Sequence, residues 1–199
     1  MKYANQCAVT RFALIAIVSL MLTMSLPAGA GEIHGKQTTQ NLSFGQGALF
    51  NLTTGNYNTA IGTLALLQNT TGSNNTATGS GALQGNTEGN ANTAIGLSAL
   101  KNNTTGKYNT ASGALALGEN TTGSNNTANG LFALNQNTTG KGNTAIGIQA
   151  LQKSTEGNAN TAIGLSALYE NTTGSANTAV GTMAGSSNTT GIGNVFIGY

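Results

Sequence analysis

Apolar and polar positions in this chain recur with a period far longer than a helical turn or a strand step. The triplet Asn-Thr-Ala begins at 58, 75, 92, 109, 126, 143, 160 and 177, a spacing of 17 residues with no insertion. Asn41 opens a degenerate first copy, and Asn194 opens a truncated tenth that runs to Tyr199. Nine full units therefore cover 41–193. With the Asn as place one, the consensus reads N-T-A-I-G-x-x-A-L-x-x-N-T-T-G-x-x. In an extended segment, Thr at place two and Ile at place four share one side while Ala at place three faces the other. The Ile gives way to Thr78, Ser112 and Asn129, so the side it lies on is not deeply buried in every copy. Ala and Leu at places eight and nine are adjacent, which breaks strict alternation. A corner or a single helical turn would fit them, and the pattern alone leaves both open. Asn-Thr-Thr-Gly reads as a turn, its Gly free to take a positive φ.

A unit of 17 residues is too short for a helical-hairpin repeat, which takes about 34. It matches one coil of a solenoid. The predicted fold is all-β, a single-chain parallel β-solenoid or β-roll with 17 residues per coil. The absence of insertions is the main argument, because each residue in such a stack lies on its equivalent one rung away. Two columns are then expected to hold the stack. One is an amide ladder of Asn58, Asn75, Asn92, Asn109, Asn126, Asn143, Asn160 and Asn177, with a second amide column at place twelve. The other is the unvarying glycine of place five: Gly62, Gly79, Gly96, Gly113, Gly130, Gly147, Gly164 and Gly181. Thr at place thirteen is expected to form a hydroxyl ladder. Two blocks four units apart, Asn86–Leu100 and Ser154–Leu168, differ only in their first residue, which points to growth by duplication of several units together.

The first thirty residues follow another pattern. Lys2 and Arg11 flank a polar start, Phe12 to Leu26 is an uncharged and largely apolar run, Pro27 breaks it, and Ala28-Gly29-Ala30 supplies small residues for cleavage after Ala30. This is the order of a secretory signal, and fifteen residues fall short of the ~20 that span a bilayer. The organisation expected is thus a signal peptide at 1–30, a short mobile leader at 31–40, repeats at 41–193 and the partial repeat at 194–199. Export to a bacterial cell surface or to the medium follows, with no membrane span in the mature chain. Cys7 leaves with the signal.

Composition narrows the chemistry. The 199 residues hold five Glu, no Asp, one His and one Cys. Acid–base and metal chemistry need such groups brought together. Neither an enzyme nor a cofactor or metal site is expected. Seven basic residues in all are too few for a nucleic-acid footprint. His34 stands alone in the leader. Glu88 and Glu156 share place fourteen four coils apart, and Glu119 and Glu170 share place eleven three coils apart, so each is expected to be a solvated charge. Tyr57 and Tyr108 at place seventeen, with Phe50 and Tyr169 at place ten, could meet a sugar or a protein or simply pack between coils. Asn-x-Thr sequons such as Asn69-Thr70-Thr71 reflect the ladders rather than glycan sites.

The dependable apolar content of a coil is one Leu, often one Ile, and two Ala. That is little against the entropy of ordering seventeen residues, and with no disulfide available in the mature chain, assembly with other copies is expected. The N-T-A-I-G-x-x-A unit resembles the head repeats of YadA-like trimeric autotransporter adhesins, whose strands carry S-V-A-I-G. It is also similar to tandem N-T-A-x-G-x-x-A-L-x-x-N-T-T-G units of tail-fibre-type proteins, over residues 41–199. The resemblance implies a left-handed parallel β-roll, a trimer, and binding to a cell-surface glycan or protein. The reading preferred is a non-catalytic secreted or surface-associated module acting by multivalent contact. A self-assembling, amyloid-like matrix fibre is the alternative, with Phe196, Ile197 and Tyr199 read as an uncapped end. An ice-binding solenoid ranks last, because no Thr-x-Thr pair recurs.

Overall fold

The computed structural model describes residues 40–199. The signal segment with its Ala30 cleavage site, His34 and nearly all of the leader lie outside the described residues.

Ten three-residue strands follow one another: β1 (Leu42–Phe44), β2 (Thr59–Ile61), β3 (Thr76–Thr78), β4 (Thr93–Ile95), β5 (Thr110–Ser112), β6 (Thr127–Asn129), β7 (Thr144–Ile146), β8 (Thr161–Ile163), β9 (Thr178–Val180) and β10 (Val195–Ile197). They form one parallel sheet in sequence order. The register shifts by one repeat at every step, so that Thr59 lies beside Thr76 and Ala60 beside Ala77. The chain is a parallel β-solenoid of about nine turns with 17 residues per coil, and no helix occurs among the described residues. Strand burial follows the alternation expected: Ala at place three is buried, Thr at place two is partly or largely exposed, and Ile at place four is exposed.

The core is narrow. It consists of Ala from places three and eight and Leu from place nine, stacked from coil to coil with essentially no exposure. Ile of place four does not join it, since the pleat turns that side chain outward. What flanks the core instead is polar: the Asn side chains of places one and twelve are buried as completely as the leucines.

Places six to eleven form a corner rather than a helical turn. In the second coil, Ala65 N–H donates to Gly62 O (3.2 Å), Leu67 to Leu64 (3.3 Å) and Asn69 to Leu66 (3.1 Å). Each bond spans three residues, but the run cannot be a 3₁₀ helix, because places seven and nine are left-handed (Leu64 φ 60°, Leu66 φ 51°). The same conformation recurs at Leu83, Leu100, Leu117, Leu134, Leu151 and Leu168. A left-handed residue with a side chain costs about 1–2 kcal/mol. Here the bend aims the Leu side chain into the core and its N–H at the next coil, as in Leu66 N–H to Ala82 O (3.0 Å). Burial of the leucine offsets the backbone cost.

Candidate functional site

The asparagine columns are the most ordered chemistry in the molecule. Asn58 Oδ1 accepts from the N–H (3.0 Å) and Nδ2 (3.1 Å) of Asn75. The same pair of hydrogen bonds repeats at each step from Asn41 to Asn194, through Asn92, Asn109, Asn126, Asn143, Asn160 and Asn177. The second amide of each side chain closes its own coil: Asn75 Nδ2 donates to Gly89 O (2.8 Å). Place twelve reaches the same atom, with Asn86 Nδ2 donating to Gly89 O (3.0 Å) and to Asn69 Oδ1 of the preceding coil (2.7 Å). The place-fifteen carbonyl is therefore a double acceptor that ties the two columns together.

This geometry changes the reason for the glycine at place fifteen. It does not take a positive φ; positive values fall at places five, seven, nine and seventeen. The constraint is space. A Cβ on Gly123 would meet Asn120 Oδ1 and lie 2.5 Å from Gly140 O. At place five both constraints act, since Gly113 has φ 136° and a Cβ there would stand 2.5 Å from Gly130 O.

The column at place twelve is interrupted once. Ser154 replaces Asn, and both Ser154 Oγ and Asn137 Oδ1 are buried without a hydrogen-bond partner. The threonines of place thirteen form a ladder of a different kind from a hydroxyl chain, each hydroxyl donating to the next coil's backbone, as in Thr70 Oγ1 to Thr87 O (3.0 Å). A further ladder lies at place sixteen. Side chains of Asn or Ser there accept the N–H of the preceding coil's place sixteen: Ser73 N–H to Asn90 Oδ1 (2.8 Å), Lys107 N–H to Ser124 Oγ (3.0 Å), Asn158 N–H to Ser175 Oγ (3.0 Å). The repeated choice of Asn or Ser at this place was its trace in the sequence.

Among the described residues, the outward side of the sheet carries no charged side chain. Ile61, Ile95, Ile146, Ile163 and Val180 at place four run along it, and Leu97, Leu131, Ile148 and Leu165 at place six, past the strand ends, are exposed as well, all between 38% (Ile61) and 58% (Leu97). No Lys, Arg, Asp or Glu stands at places two, four, six or seven in any coil. The charged residues occupy the other sides of the coil. Lys153 pairs with Glu170 (2.8 Å) and lies over the Tyr169 ring at 4.9 Å. The Glu170 hydrogen bond holds the Lys153 ammonium above its ordinary range. Glu119 accepts from Asn102 Nδ2 (2.7 Å). Glu88 and Glu156 are exposed, as are Tyr57, Tyr108 and Phe50. Asn69 of the sequon at 69–71 is fully buried, as a ladder residue must be. Among the described residues, no group of three or more His, Cys, Asp or Glu side chains gathers.

No family model, curated protein or solved structure matches this chain.

Proposed function

We propose that the chain is a non-catalytic, exported scaffold of the adhesin-head or fibre type, which associates with copies of itself along the outward face of the sheet. Its action is multivalent contact: a stiff rod that repeats one surface at every coil converts weak contacts into lasting attachment to a glycan or protein at a cell surface. The observation that carries this reading is the uncharged outward side of the sheet, on which exposed Ile and Val of place four recur from coil to coil between Thr78, Ser112 and Asn129. Exposed apolar surface grouped on one face marks interaction sites in soluble proteins. The likeness of the repeat to adhesin-head units supports the same reading, as does the secretory pattern of the first thirty residues.

Light scattering behind a sizing column tests it on the full chain expressed with its own leader. A discrete multiple of the chain mass is expected, reverting toward one chain when Ile146→Ser and Ile163→Ser are combined. A folded single chain at every concentration overturns the self-association. A mass that grows without limit points to the matrix fibre instead. Multivalency is tested by removing whole 17-residue units: retention on a cell or glycan surface should fall far more steeply than in proportion to coil number.

A further inference from the structure

Two tyrosines stand where the fold has little packing use for them. Place seventeen is left-handed in every coil, and its other occupants tolerate that conformation or are small: Asn74, Asn125, Gly142, Gly193, Ala91, Ala159 and Ala176. Tyr57 and Tyr108 hold the same place, each with φ 59°. A bulky residue at positive φ is strained. The left-handed leucines of place nine are compensated by burial, whereas Tyr57 and Tyr108 are 60% and 63% exposed. Their strain is kept with little gain in packing, and such residues cluster where a chain meets a ligand. Tyr169 differs, because it is half-buried with Lys153 over its ring.

The two tyrosines come with the same neighbours. Residues 54–58 and 105–109 differ only in their middle residue, and an asparagine occupies place seventeen one rung beyond each tyrosine, Asn74 after Tyr57 and Asn125 after Tyr108. Tyrosine and asparagine share a φ of 59–60°, so their side chains leave the coil on the same side. All four are exposed, and among the described residues none of the four side chains makes a hydrogen bond. The asparagines of places one, twelve and sixteen, by contrast, tie their amides to the backbone or to the next coil, as Asn75, Asn86 and Asn90 do. An open aromatic ring with a free amide beside it thus recurs after three rungs, about 14 Å along the rod at strand spacing. Only Ala91 lies between the two pairs.

We infer that the pairs Tyr57–Asn74 and Tyr108–Asn125 form a carbohydrate site that takes a neutral oligosaccharide laid along the turn before the strands. A tyrosine ring offers an apolar face to the C–H side of a sugar and a polar tip to its hydroxyls, and an amide both donates to hydroxyls and accepts from them. Charge does not select the ligand, because place sixteen is Asn56 beside one tyrosine and Lys107 beside the other. A folded protein is a poorer match, since two rings and two amides cover far less than the roughly 1,000 Å² of a specific protein interface. Each pair is shallow and binds weakly alone. Two pairs per chain, multiplied over associated chains, hold by avidity. The inference rests on the attachment proposed above and names its ligand and its place, which is the turn and not the outward side of the sheet.

The test applies the full chain, expressed with its own leader, to a printed array of neutral and acidic oligosaccharides of plant, animal and microbial type. Tyr57→Asn and Tyr108→Asn introduce a residue that place seventeen already holds elsewhere, so the coil is preserved, and circular dichroism verifies it. Phe50→Gln is the control: it removes an equally exposed aromatic from place ten, where Gln84 and Gln152 stand in other coils. The parent and Phe50→Gln should be retained alike on a subset of neutral glycans. Each tyrosine variant should lose that retention several-fold, and the double variant should fall to background. Undiminished retention of the double variant overturns the site while leaving glycan attachment through another face. Retention confined to acidic glycans and lost with Lys107→Ser overturns it as well. So does a parent that is retained on no glycan, and light scattering of the same sample then shows whether the self-associating scaffold stands without this site.

Discussion

The ring of Phe196 lies against Gly185, where every other coil carries a leucine. A Cβ on Gly185 would stand 2.5 Å from Phe196 Cδ2 and 2.8 Å from Cγ. Phe196 occupies place three, which is Ala in the eight coils before it, and it packs on the end of the core. The two departures from the repeat are therefore one feature: the last leucine is withdrawn and an aromatic ring fills its volume, covering the leucine column.

This exchange predicts strong coupling between the two positions. Gly185→Leu alone should destabilise by about 1–3 kcal/mol through overpacking, and Phe196→Ala alone should cost a similar amount by opening a cavity. The double variant restores the consensus and should recover much of the loss. Backbone conformation does not forbid the change, since Gly185 has φ 60° and the leucines of the same place hold 51–53°. Denaturant unfolding of the four proteins in a double-mutant cycle gives the coupling, and additive losses would show that ring and glycine are independent.

Ser154 marks a second departure with an opposite prediction. Asn137 Oδ1 loses the amide that the next coil would donate, and Ser154 Oγ is itself buried and unpaired. An unsatisfied buried polar group costs about 1–3 kcal/mol. Ser154→Asn should raise stability by that order, because Gly157 already leaves the space and the carbonyl that such an amide uses elsewhere. The reverse change, Asn120→Ser, should lower it by a similar amount, because it breaks the bonds to Asn103 Oδ1 (2.7 Å) and Gly123 O (3.0 Å). Thermal unfolding followed by circular dichroism reads both, and a Ser154→Asn midpoint at or below the parent would refute the ladder account.

The period, the strand triplet and the first asparagine column were legible because they rest on one rule: residues seventeen apart are neighbours in space. The left-handed leucines were not, because nothing in a Leu side chain signals a positive φ; the conformation is imposed by stacking. The role of the place-fifteen glycine was misread for a related reason. Its carbonyl receives one amide from three residues away and another from the far end of the same coil, a convergence that spacing alone does not reveal. The outward face was legible only as a column that tolerates Thr78, Ser112 and Asn129. Its length and lack of charge emerge once places four and six are seen side by side.

The glycines separate into those the stack requires and those it merely accepts. Gly113→Ala meets a carbonyl and a backbone region open essentially to glycine alone, so a loss of at least about 3 kcal/mol is expected. Gly142→Ala, at place seventeen with φ 68°, has nothing nearer than 3.9 Å to the added carbon. Ala91, Ala159 and Ala176 hold that place at 55–57°. Its effect should stay within about 1 kcal/mol, since the left-handed cost is set against the lower entropy of the unfolded chain. Urea midpoints of the two variants should differ widely; equal losses would mean that glycine is needed for flexibility rather than for contact.

Register also predicts which changes of length the rod will bear. Deleting residues 109–125 removes one complete unit and brings Asn126 onto Asn92, so every ladder closes again with one rung fewer. The helix-free circular dichroism spectrum should survive and the unfolding transition should remain cooperative, with stability lowered by the loss of one coil and one interface, as in other linear repeat folds. Inserting a single glycine after Asn120 is far smaller in mass but shifts the rest of that coil by one place, so that Gly123 O moves away from Asn109 Nδ2, which it now accepts at 2.9 Å. Buried amides on both sides of the cut are then unpaired, each at about 1–3 kcal/mol. The insertion should therefore unfold at least the adjoining coils, seen as rapid amide exchange there and a split or broadened melt. A rod that tolerated one extra residue as well as it tolerated the loss of seventeen would owe its stability to the leucine and alanine core alone, and the asparagine columns would be passengers.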